Sequence, residues 1–184
     1  MTAKKKEFKK RALFSKKYIP YERRKNRHWL LIALGSIVMT SFVQRHVISA
    51  GIITDVSMMR TLKQGELYLI NKYIYHFIPP QRGEIVVLLP YRYAAEEYVK
   101  RVIGREGETL LIKGGKVFIN GTELMEPYAL GETGPDMGPI MIPAGKYFVM
   151  GDNRANSYDS RQFGSIPVEN IGGKIKPGEW FTFT

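Results

Sequence analysis

A serine and a lysine are the residues of this chain whose types could do chemistry together. Ser57 lies in the segment Thr54 to Leu62, and Lys100 lies in the segment Glu97 to Glu108. A serine hydroxyl becomes an effective nucleophile when a neighbouring base takes its proton. Lysine can be that base if burial lowers the pKa of its amine from about 10.4 toward about 7–8. The alternative is an ordinary exposed lysine, since most lysines lie at the surface.

Other reactive side chains are scarce, which narrows the possible chemistry. The chain has no Cys, and its three histidines lie outside the two segments: His28, His46 and His76. Thiol catalysis and Cys-type metal sites are therefore excluded, and a histidine-based triad or a His-rich zinc site is disfavoured. We expect no cofactor and no metal, and lysine as the base.

A third segment is almost entirely polar. Residues 151–164 read GDNRANSYDSRQFG, with almost nothing apolar before Phe163. Four of its side chains can bond backbone groups or one another: Asp152, Asn153, Asp159 and Arg161. The segment could thus be a scaffold that fixes a loop beside the reactive residues. The alternative is a solvated surface loop, because Gly, Asn, Asp and Ser are ordinary loop residues.

The segments that must position these residues have the sequence pattern of β-strands. Tyr98 to Ile103 is β-branched and alternating, which predicts a strand with Lys100 on the same face as Tyr98 and Val102. Further short apolar runs follow one another between turn signals, and the run EIVVLL at residues 84–89 should be a central strand because it is apolar on both faces. No helical period appears beyond about residue 48. The pattern predicts a mostly β domain.

Four segments, in their order along the chain, resemble the type I signal peptidases, which are membrane-anchored serine proteases with a Ser–Lys dyad. They are TDVSMMRTL (54–62), RGEIVVL (82–88), EYVKRVIGREGE (97–108) and GDNRANSYDSRQFG (151–164). The resemblance runs from about residue 30 to the C-terminus. It implies a coiled antiparallel β-sheet catalytic domain with a small β insertion within residues 106–143, preceded by one N-terminal transmembrane helix.

The resemblance also implies roles for individual residues. Ser57 would be the nucleophile and Lys100 the general base in cleaving signal peptides from exported preproteins after small residues. Ser157 would hydrogen-bond and orient the lysine amine, and the Ser57 backbone N–H would be one oxyanion donor. The remaining positions would shape the loop (Gly151, Asp152, Asn153), form a structural ion pair (Asp159, Arg161), or line shallow pockets for Ala-sized side chains (Ile53, Met58, Leu62, Tyr98, Val99).

Two residues beside Ser57 depart from the family pattern. Arg60 stands where the family has proline, and Asp55 stands where it has serine or glycine. An ionised aspartate cannot donate to an oxyanion and would repel it if it faced that site. Asp55 could instead be structural, bonded to Arg60 and holding the turn that proline holds elsewhere. We favour the second interpretation, because the two residues depart from the pattern together.

The positive charge of the chain is concentrated at its N-terminus. Residues 1–27 hold twelve Lys and Arg against two Glu, a net +10, whereas the remainder has a net charge of +1. A basic face for nucleic acid on the folded domain is therefore not expected. The basic stretch is followed by fifteen uncharged residues, Trp29 to Val43. As a helix these fifteen residues would span about 22 Å. If the helix continues through Arg45 to Ile48, it reaches the length that a bilayer core of about 30 Å requires.

A buried core helix or the apolar region of a cleaved signal are alternatives for this stretch, but an uncleaved anchor is the most economical. The positive-inside rule then predicts a cytoplasmic tail (1–27), a single transmembrane anchor (28–48) and an extracytoplasmic protease domain (49–184) at the bacterial cytoplasmic (inner) membrane. The expected partners are exported preproteins and the lipid bilayer. Two other functions stay open: a non-catalytic or slow membrane-anchored homologue that binds exported chains, and a dedicated maturase for one secreted or pilin-like substrate.

Overall fold

The computed structural model describes residues 21–90 and 97–177. The chain divides into two compact units, Met1–Val43 and Gln44–Thr184. Helix α1 spans Tyr21–His46 and includes the uncharged stretch, whose large apolar side chains are exposed. In the described part of the chain, no helix combines the length and the apolar character needed to cross a membrane. Most of the predicted basic tail, residues 1–20, lies outside the described residues, as do residues 91–96 and 178–184 of the predicted protease domain.

The described part of the second unit is built mainly from β-strands. They are β1 (Ile48–Ile52), β2 (Leu67–Asn71), β3 (Ile85–Leu88), β4 (Tyr98–Gly104), β5 (Thr109–Lys113), β6 (Lys116–Ile119), β7 (Thr122–Glu123), β8 (Met137–Met141), β9 (Lys146–Met150), β10 (Ile166–Pro167) and β11 (Ile171–Ile175). Short helical segments connect some of them: the 3-10 turns Ile74–His76, Arg154–Asn156 and Val168–Asn170, and the four-residue helix α2 (Ser160–Phe163).

Within the described residues these strands form two antiparallel sheets. The larger has seven strands in the order β1-β2-β11-β3-β4-β9-β10, and the smaller has four in the order β7-β6-β5-β8. The prediction of a mostly β domain is confirmed. The smaller sheet falls inside residues 106–143, where the sequence predicts a small β insertion.

Two local patterns explain why the sheets form as they do. Strand β3 is buried along its whole length between β11 and β4, as its run of β-branched and apolar residues predicts. Strands β5 and β6 are joined by Gly114 and Gly115, both with positive φ (56° and 73°). A two-residue hairpin turn of this hand requires positive φ at both central positions, which glycine adopts without strain.

The sheet topology brings the three predicted segments to one place. Strand β1 leads into the segment that carries Ser57, β4 carries Lys100, and β9 leads into the polar loop. Met58 and Leu62, each 1% exposed, pack with Ile53, Val87 and other apolar residues beneath the Ser57 segment. This apolar cluster fixes the base of the segment, because displacing such side chains would expose them to water.

Candidate active site

Ser57 and Lys100 contact each other directly. The Lys100 Nζ donates a hydrogen bond to Ser57 Oγ at 2.6 Å, although 43 residues separate the two in sequence. Each residue is only 1% exposed. Burial lowers the pKa of Lys100 below its ordinary value, and the nearby carboxylates of Asp55 and Asp159 partly oppose that shift. A lysine amine with a lowered pKa is neutral at lower pH than usual, so it can accept the serine proton.

The position of Lys100 follows from the centre of the larger sheet. Strand β4 lies between β3 and β9, with Lys100 opposite Val86. Tyr98, on the same face of β4, places its ring centroid 5.2 Å from the Lys100 Nζ. The sequence predicts this shared face, and the aromatic ring is one of the groups that keep water from the amine.

The polar loop holds the backbone on either side of the serine hydroxyl. The Asn153 N–H donates to the Ser57 carbonyl oxygen at 2.8 Å, and the Asn153 side-chain amide donates to the Val56 carbonyl at 3.2 Å. These bonds tie the Ser57 segment to the loop across 96 residues of sequence or more. The position of Ser57 thus depends on the loop.

The charges of the polar loop are buried and paired. Asp152, 0% exposed, accepts hydrogen bonds from Arg101 Nε at 2.8 Å and Arg101 Nη2 at 2.6 Å, and a further one from the Thr61 hydroxyl. Asp159, also 0% exposed, accepts from Arg161 Nε at 2.9 Å and Nη2 at 2.8 Å. These contacts favour the rigid scaffold over the solvated surface loop.

The hydrogen bonds decide the ionisation of Asp159. Burial alone would raise the pKa of this carboxyl group, but the hydrogen bonds from Arg161 and from the Gly151 N–H outweigh it, so the pKa lies below its ordinary value. Asp159 therefore stays a carboxylate at neutral pH. Asp159 also caps the N-terminus of helix α2. Its carboxylate accepts from the Arg161 N–H, and the Gln162 side chain accepts from the Asp159 N–H.

Comparisons with known proteins identify the family of this chain. Residues 26–180 match the family model described as signal peptidase, peptidase S26. The chain is 38% identical over 152 residues to the signal peptidase I of Leptolyngbya laminosa, covering 79% of this chain and 75% of that one. It is 35% identical over 160 residues to the signal peptidase I T of Bacillus subtilis strain 168, covering 80% and 82%. The chain belongs to the signal peptidase family, peptidase S26. As a signal peptidase I it is a serine endopeptidase that cleaves signal peptides.

A solved relative is also similar. The signal peptidase I from Enterococcus faecalis V583, known from a crystal structure, has 30% sequence identity with this chain and a TM-score of 0.48. The match covers 54% of this chain and 98% of that one.

Several supporting contacts of this signal peptidase are absent from the sequence prediction. Arg154, whose side chain is 0% exposed, donates to Glu126 at 2.7 and 2.9 Å, to Thr133 Oγ1 at 3.0 Å and to the Gly151 carbonyl at 3.0 Å. Glu126 lies between β7 and β8, so this pair ties the insertion to the polar loop. The Arg101–Asp152 pair is likewise a finding of the structure. The position of Arg154 within the polar loop indicates only weakly that its side chain is part of the scaffold. Nothing in the sequence identifies Glu126 as its partner.

Gly151 leaves room for two other groups at the site. A Cβ atom added to Gly151 would lie 2.7 Å from the Ser57 carbonyl oxygen and would also overlap Ser157 Oγ and Cβ. A glycine is therefore required where the loop approaches the nucleophile segment. Ser157 Oγ is buried and makes no hydrogen bond of ordinary geometry among the described residues, but its hydroxyl lies near enough to Asp159 to help lower the pKa of that carboxyl group. The hydrogen bond from Ser157 to Lys100 that the resemblance implies is not formed in this structure.

The structure corrects the expected pairing of Asp55 with Arg60. Asp55 Oδ1 accepts from the Ser57 N–H at 3.1 Å, and Asp55 Oδ2 accepts from Lys100 Nζ at 3.4 Å. Arg60 instead donates to the Ala129 carbonyl at 3.3 Å. Its backbone has φ +86°, a left-handed conformation that is unusual for a residue with a side chain. The predicted bond between Asp55 and Arg60 was therefore wrong. The sequence does not show which groups each side chain of the turn can reach.

A groove beside Ser57 contains most of the predicted pocket residues. Ile53, Met58, Tyr98 and Val99 line it, together with Ile52, Thr54, Asp55, Tyr68 and Glu97. Leu62 does not line this groove and packs in the apolar cluster beneath the segment. The groove lies between the segment after β1 and the start of β4. Both walls carry an acidic side chain near the groove, Asp55 on one and Glu97 on the other.

Proposed function

We propose that Ser57 is the nucleophile and Lys100 the general base of this signal peptidase. The observation that carries the proposal is the 2.6 Å contact between Lys100 Nζ and Ser57 Oγ, made by two buried side chains. In this geometry a neutral amine can take the Oγ proton without moving. The lowered pKa of Lys100 supports the same assignment, since it increases the neutral fraction.

The reaction then proceeds through an acyl-enzyme. As Lys100 Nζ takes the proton, Ser57 Oγ bonds to the carbonyl carbon of the scissile peptide and the π electrons move to its oxygen. When this intermediate collapses, the carbon–nitrogen bond breaks and the ammonium of Lys100 returns its proton to the leaving amine. A water molecule, deprotonated by Lys100, next attacks the ester and releases the signal peptide from Ser57.

Exported preproteins with small residues at the cleavage site are the proposed substrates. An extended peptide in the groove would pass between the segment after β1 and the start of β4, and could pair its backbone with an exposed strand edge. The apolar lining by Ile53, Met58 and Val99 suits a small apolar side chain better than a charged one. The family supports preprotein substrates in general, and the choice of small residues rests on this lining and on the family pattern.

The cleavage activity can be tested with a purified model preprotein and mass spectrometry of its products. Wild-type enzyme should release one signal peptide with a new N-terminus directly after a small residue, and Ser57→Ala should release none. Lys113→Ala, which changes an exposed lysine at the end of β5, is a suitable control and should cleave like the wild type. A wild type that binds the preprotein without cleaving it would favour the non-catalytic alternative.

We also propose that residues 28–48 anchor the enzyme in the bacterial cytoplasmic membrane, with residues 1–27 in the cytoplasm and residues 49–184 outside. The net charge of +10 on residues 1–27 supports this orientation, because basic segments remain on the cytoplasmic side. The exposure of large apolar side chains along the uncharged stretch, including Leu30, Leu31 and Ile37, supports contact with lipid. The membrane attachment that is typical of the family is consistent with both.

Protease protection tests this topology. Protease added to intact spheroplasts should digest the C-terminal domain and spare an epitope placed in residues 1–27. Digestion of the epitope with protection of the domain would reverse the assignment. Extraction with alkaline carbonate should leave the protein in the membrane pellet, whereas release into the supernatant would contradict an anchor.

A further inference from the structure

One carboxylate contacts both partners of the proposed dyad. Asp55 Oδ1 accepts from the Ser57 N–H at 3.1 Å, and Asp55 Oδ2 accepts from Lys100 Nζ at 3.4 Å. The Asp55 side chain is 49% exposed, whereas Lys100 is buried. The carboxylate therefore lies at the boundary between the groove and the buried amine, on the side from which a substrate would approach.

The contacts of the Lys100 amine give Asp55 a positioning role. Its described polar contacts are Ser57 Oγ at 2.6 Å and Asp55 Oδ2 at 3.4 Å. Ser157, the other residue predicted to orient this amine, has a buried Oγ that makes no hydrogen bond to the amine and interacts with Asp159 instead. Apart from the contact with Ser57 Oγ, the hydrogen bond to Asp55 thus orients the Lys100 amine.

The hydrogen bond between the Ser57 N–H and Asp55 competes with the reaction. Ser57 N–H is the backbone donor of the proposed nucleophile itself, and it can stabilise a developing oxyanion only when it is free to donate. In this structure Asp55 Oδ1 accepts from that N–H. Because half of the Asp55 side chain faces solvent, it can turn away without disturbing the apolar cluster beneath the segment.

Resting on the proposed roles of Ser57 and Lys100, we propose that Asp55 is a positioning residue that holds the Lys100 amine in the free enzyme and occupies the Ser57 N–H until a substrate carbonyl displaces it. Asp55 thereby sets both the pH at which the dyad becomes active and the cost of forming the oxyanion. The serine or glycine that the family has at this position carries no charge, so it cannot stabilise the ammonium form of Lys100 as a carboxylate does.

The charges around the Lys100 amine determine the direction of the pH effect. Asp55 from the segment after β1 and Asp159 from the polar loop favour its charged form, Arg161 from α2 disfavours it, and the Tyr98 ring on β4 lies 5.2 Å from it. Removing the charge of Asp55 takes away one of the two carboxylates. The ammonium form is then less stable, the pKa of Lys100 falls further, and the neutral base is present at lower pH.

The test compares four proteins: the wild type, Asp55→Asn, Asp55→Ser and the control Glu169→Gln. Glu169 is an exposed carboxylate in the 3-10 turn before β11, so the control removes one negative charge outside the site. The values of kcat and KM for a model preprotein are measured from about pH 5 to pH 10. Thermal unfolding is measured on the same samples, and the lysine amines are titrated by NMR with isotope-labelled lysine.

We expect the rising limb of kcat/KM for Asp55→Asn to move to lower pH by about one unit, together with the NMR titration of Lys100. Asp55→Ser should show the same direction of shift, and in addition its kcat at the high-pH plateau should rise about tenfold or more, because the Ser57 N–H is freed and a hydroxyl donor is added. Glu169→Gln should match the wild type in both measurements.

Three results would overturn the inference while leaving the proposed function intact. They are an unchanged pH midpoint in Asp55→Asn, a lower plateau kcat in Asp55→Ser with an unchanged midpoint, and an equal shift in Glu169→Gln. If Asp55→Ser fails to fold, the nearly isosteric Asp55→Asn and its NMR titration still decide. A folded wild type that cleaves no preprotein at any pH would instead contradict the proposed roles of the dyad.

Discussion

The polar loop and the nucleophile segment meet at the same site but are held by different means. In the loop, residues 151–164, the carboxylates of Asp152 and Asp159 are buried and each is paired with an arginine. In the segment of residues 54–62, Asp55 is half exposed and Arg60 is exposed with a left-handed backbone. The loop is fixed by ion pairs, whereas the segment is fixed by its apolar base and by bonds from the loop.

This difference explains where the chain tolerates departures from its family. A buried ion pair is costly to break, because the partner left behind is a charge without solvent. A change within the loop therefore disturbs folding, while a change at Asp55 or Arg60 alters groups that water can still reach. The predicted loop residues match the family pattern, and both departures lie in the nucleophile segment. We therefore expect substitutions of the paired loop residues to affect mainly stability, and substitutions of Asp55 to affect mainly the rate.

The largest effect should come from removing the proposed base. Lys100→Met should lower kcat by about 10⁴-fold or more, because Ser57 Oγ loses the group that takes its proton. The melting temperature should stay equal or rise, since an apolar side chain replaces a buried amine at similar length. Preprotein cleavage and thermal unfolding measure the two effects. Turnover close to that of the wild type would rule out the Ser–Lys mechanism.

The next effect concerns the ion pair between the loop and the insertion. Arg154→Met should lower the free energy of unfolding by about 3–5 kcal/mol, because the Glu126 carboxylate stays buried without its counter-ion and keeps only the hydrogen bond from the Tyr128 hydroxyl. Urea denaturation measures this loss. Adding Glu126→Gln should recover part of it, since the unpaired charge is then removed.

An exposed ion pair provides the matched control for Arg154. Lys116 and Glu123 pair on the surface of the smaller sheet, with side chains 60% and 42% exposed. Lys116→Met should cost no more than about 1 kcal/mol, because solvent screens both charges. If Arg154→Met costs as little as Lys116→Met, the loop is not held by buried charge, and the contrast between the two regions fails.

A smaller effect should follow from adding one methyl group where the two regions touch. Gly151→Ala places a Cβ against the Ser57 carbonyl and the Ser157 side chain. The loop must then move away from the nucleophile, and a displacement of about 1 Å can cost up to 10²-fold in kcat. Gly35→Ala in α1, where nothing lies within 4 Å of an added Cβ, should leave kcat unchanged. Equal kcat values for both variants would show that the Ser57 segment does not depend on close contact with the loop.

The smallest effect concerns the strained backbone of the nucleophile segment. Arg60→Gly should raise the free energy of unfolding by about 0.5–1 kcal/mol, because φ +86° is unfavourable for any residue with a Cβ. Arg60→Pro should lower it, since the proline ring fixes φ near −65°. Urea denaturation of both variants measures the sign. A stabilising Arg60→Pro would show that the segment has the family's turn and not the left-handed one.

The separate partners of Asp55 and Arg60 also predict the result of a double substitution. If Asp55 and Arg60 had been bonded to each other, Arg60→Pro would have compensated for the loss of Asp55. The two side chains have different partners, Ser57 and Lys100 for Asp55, and the Ala129 carbonyl for Arg60. We therefore expect no rescue of Asp55→Ser by Arg60→Pro, since no bond between the two side chains is lost.

The sequence by itself determined the chemistry and the local structure. The absence of Cys and the positions of the histidines left serine and lysine as the reactive pair. The positive φ that two glycines adopt determined the hairpin at Gly114 and Gly115, and the continuous apolar run determined the central strand β3. The absence of a residue type is read directly from the sequence, and the hairpin and strand signals each act within a few residues, so the sequence alone suffices to recognise them.

Only the tertiary structure decided which charges pair and which donors are occupied. Arg154 and Glu126 are 28 residues apart, Arg101 and Asp152 are 51 apart, and the contact of Asp55 with Lys100 spans 45. Such partners depend on the register of β3, β4 and β9 and on the direction in which each loop leaves its strand. Any carboxylate in the sequence is chemically able to bind any of these cations, and the packing of the sheet selects the one that is within reach.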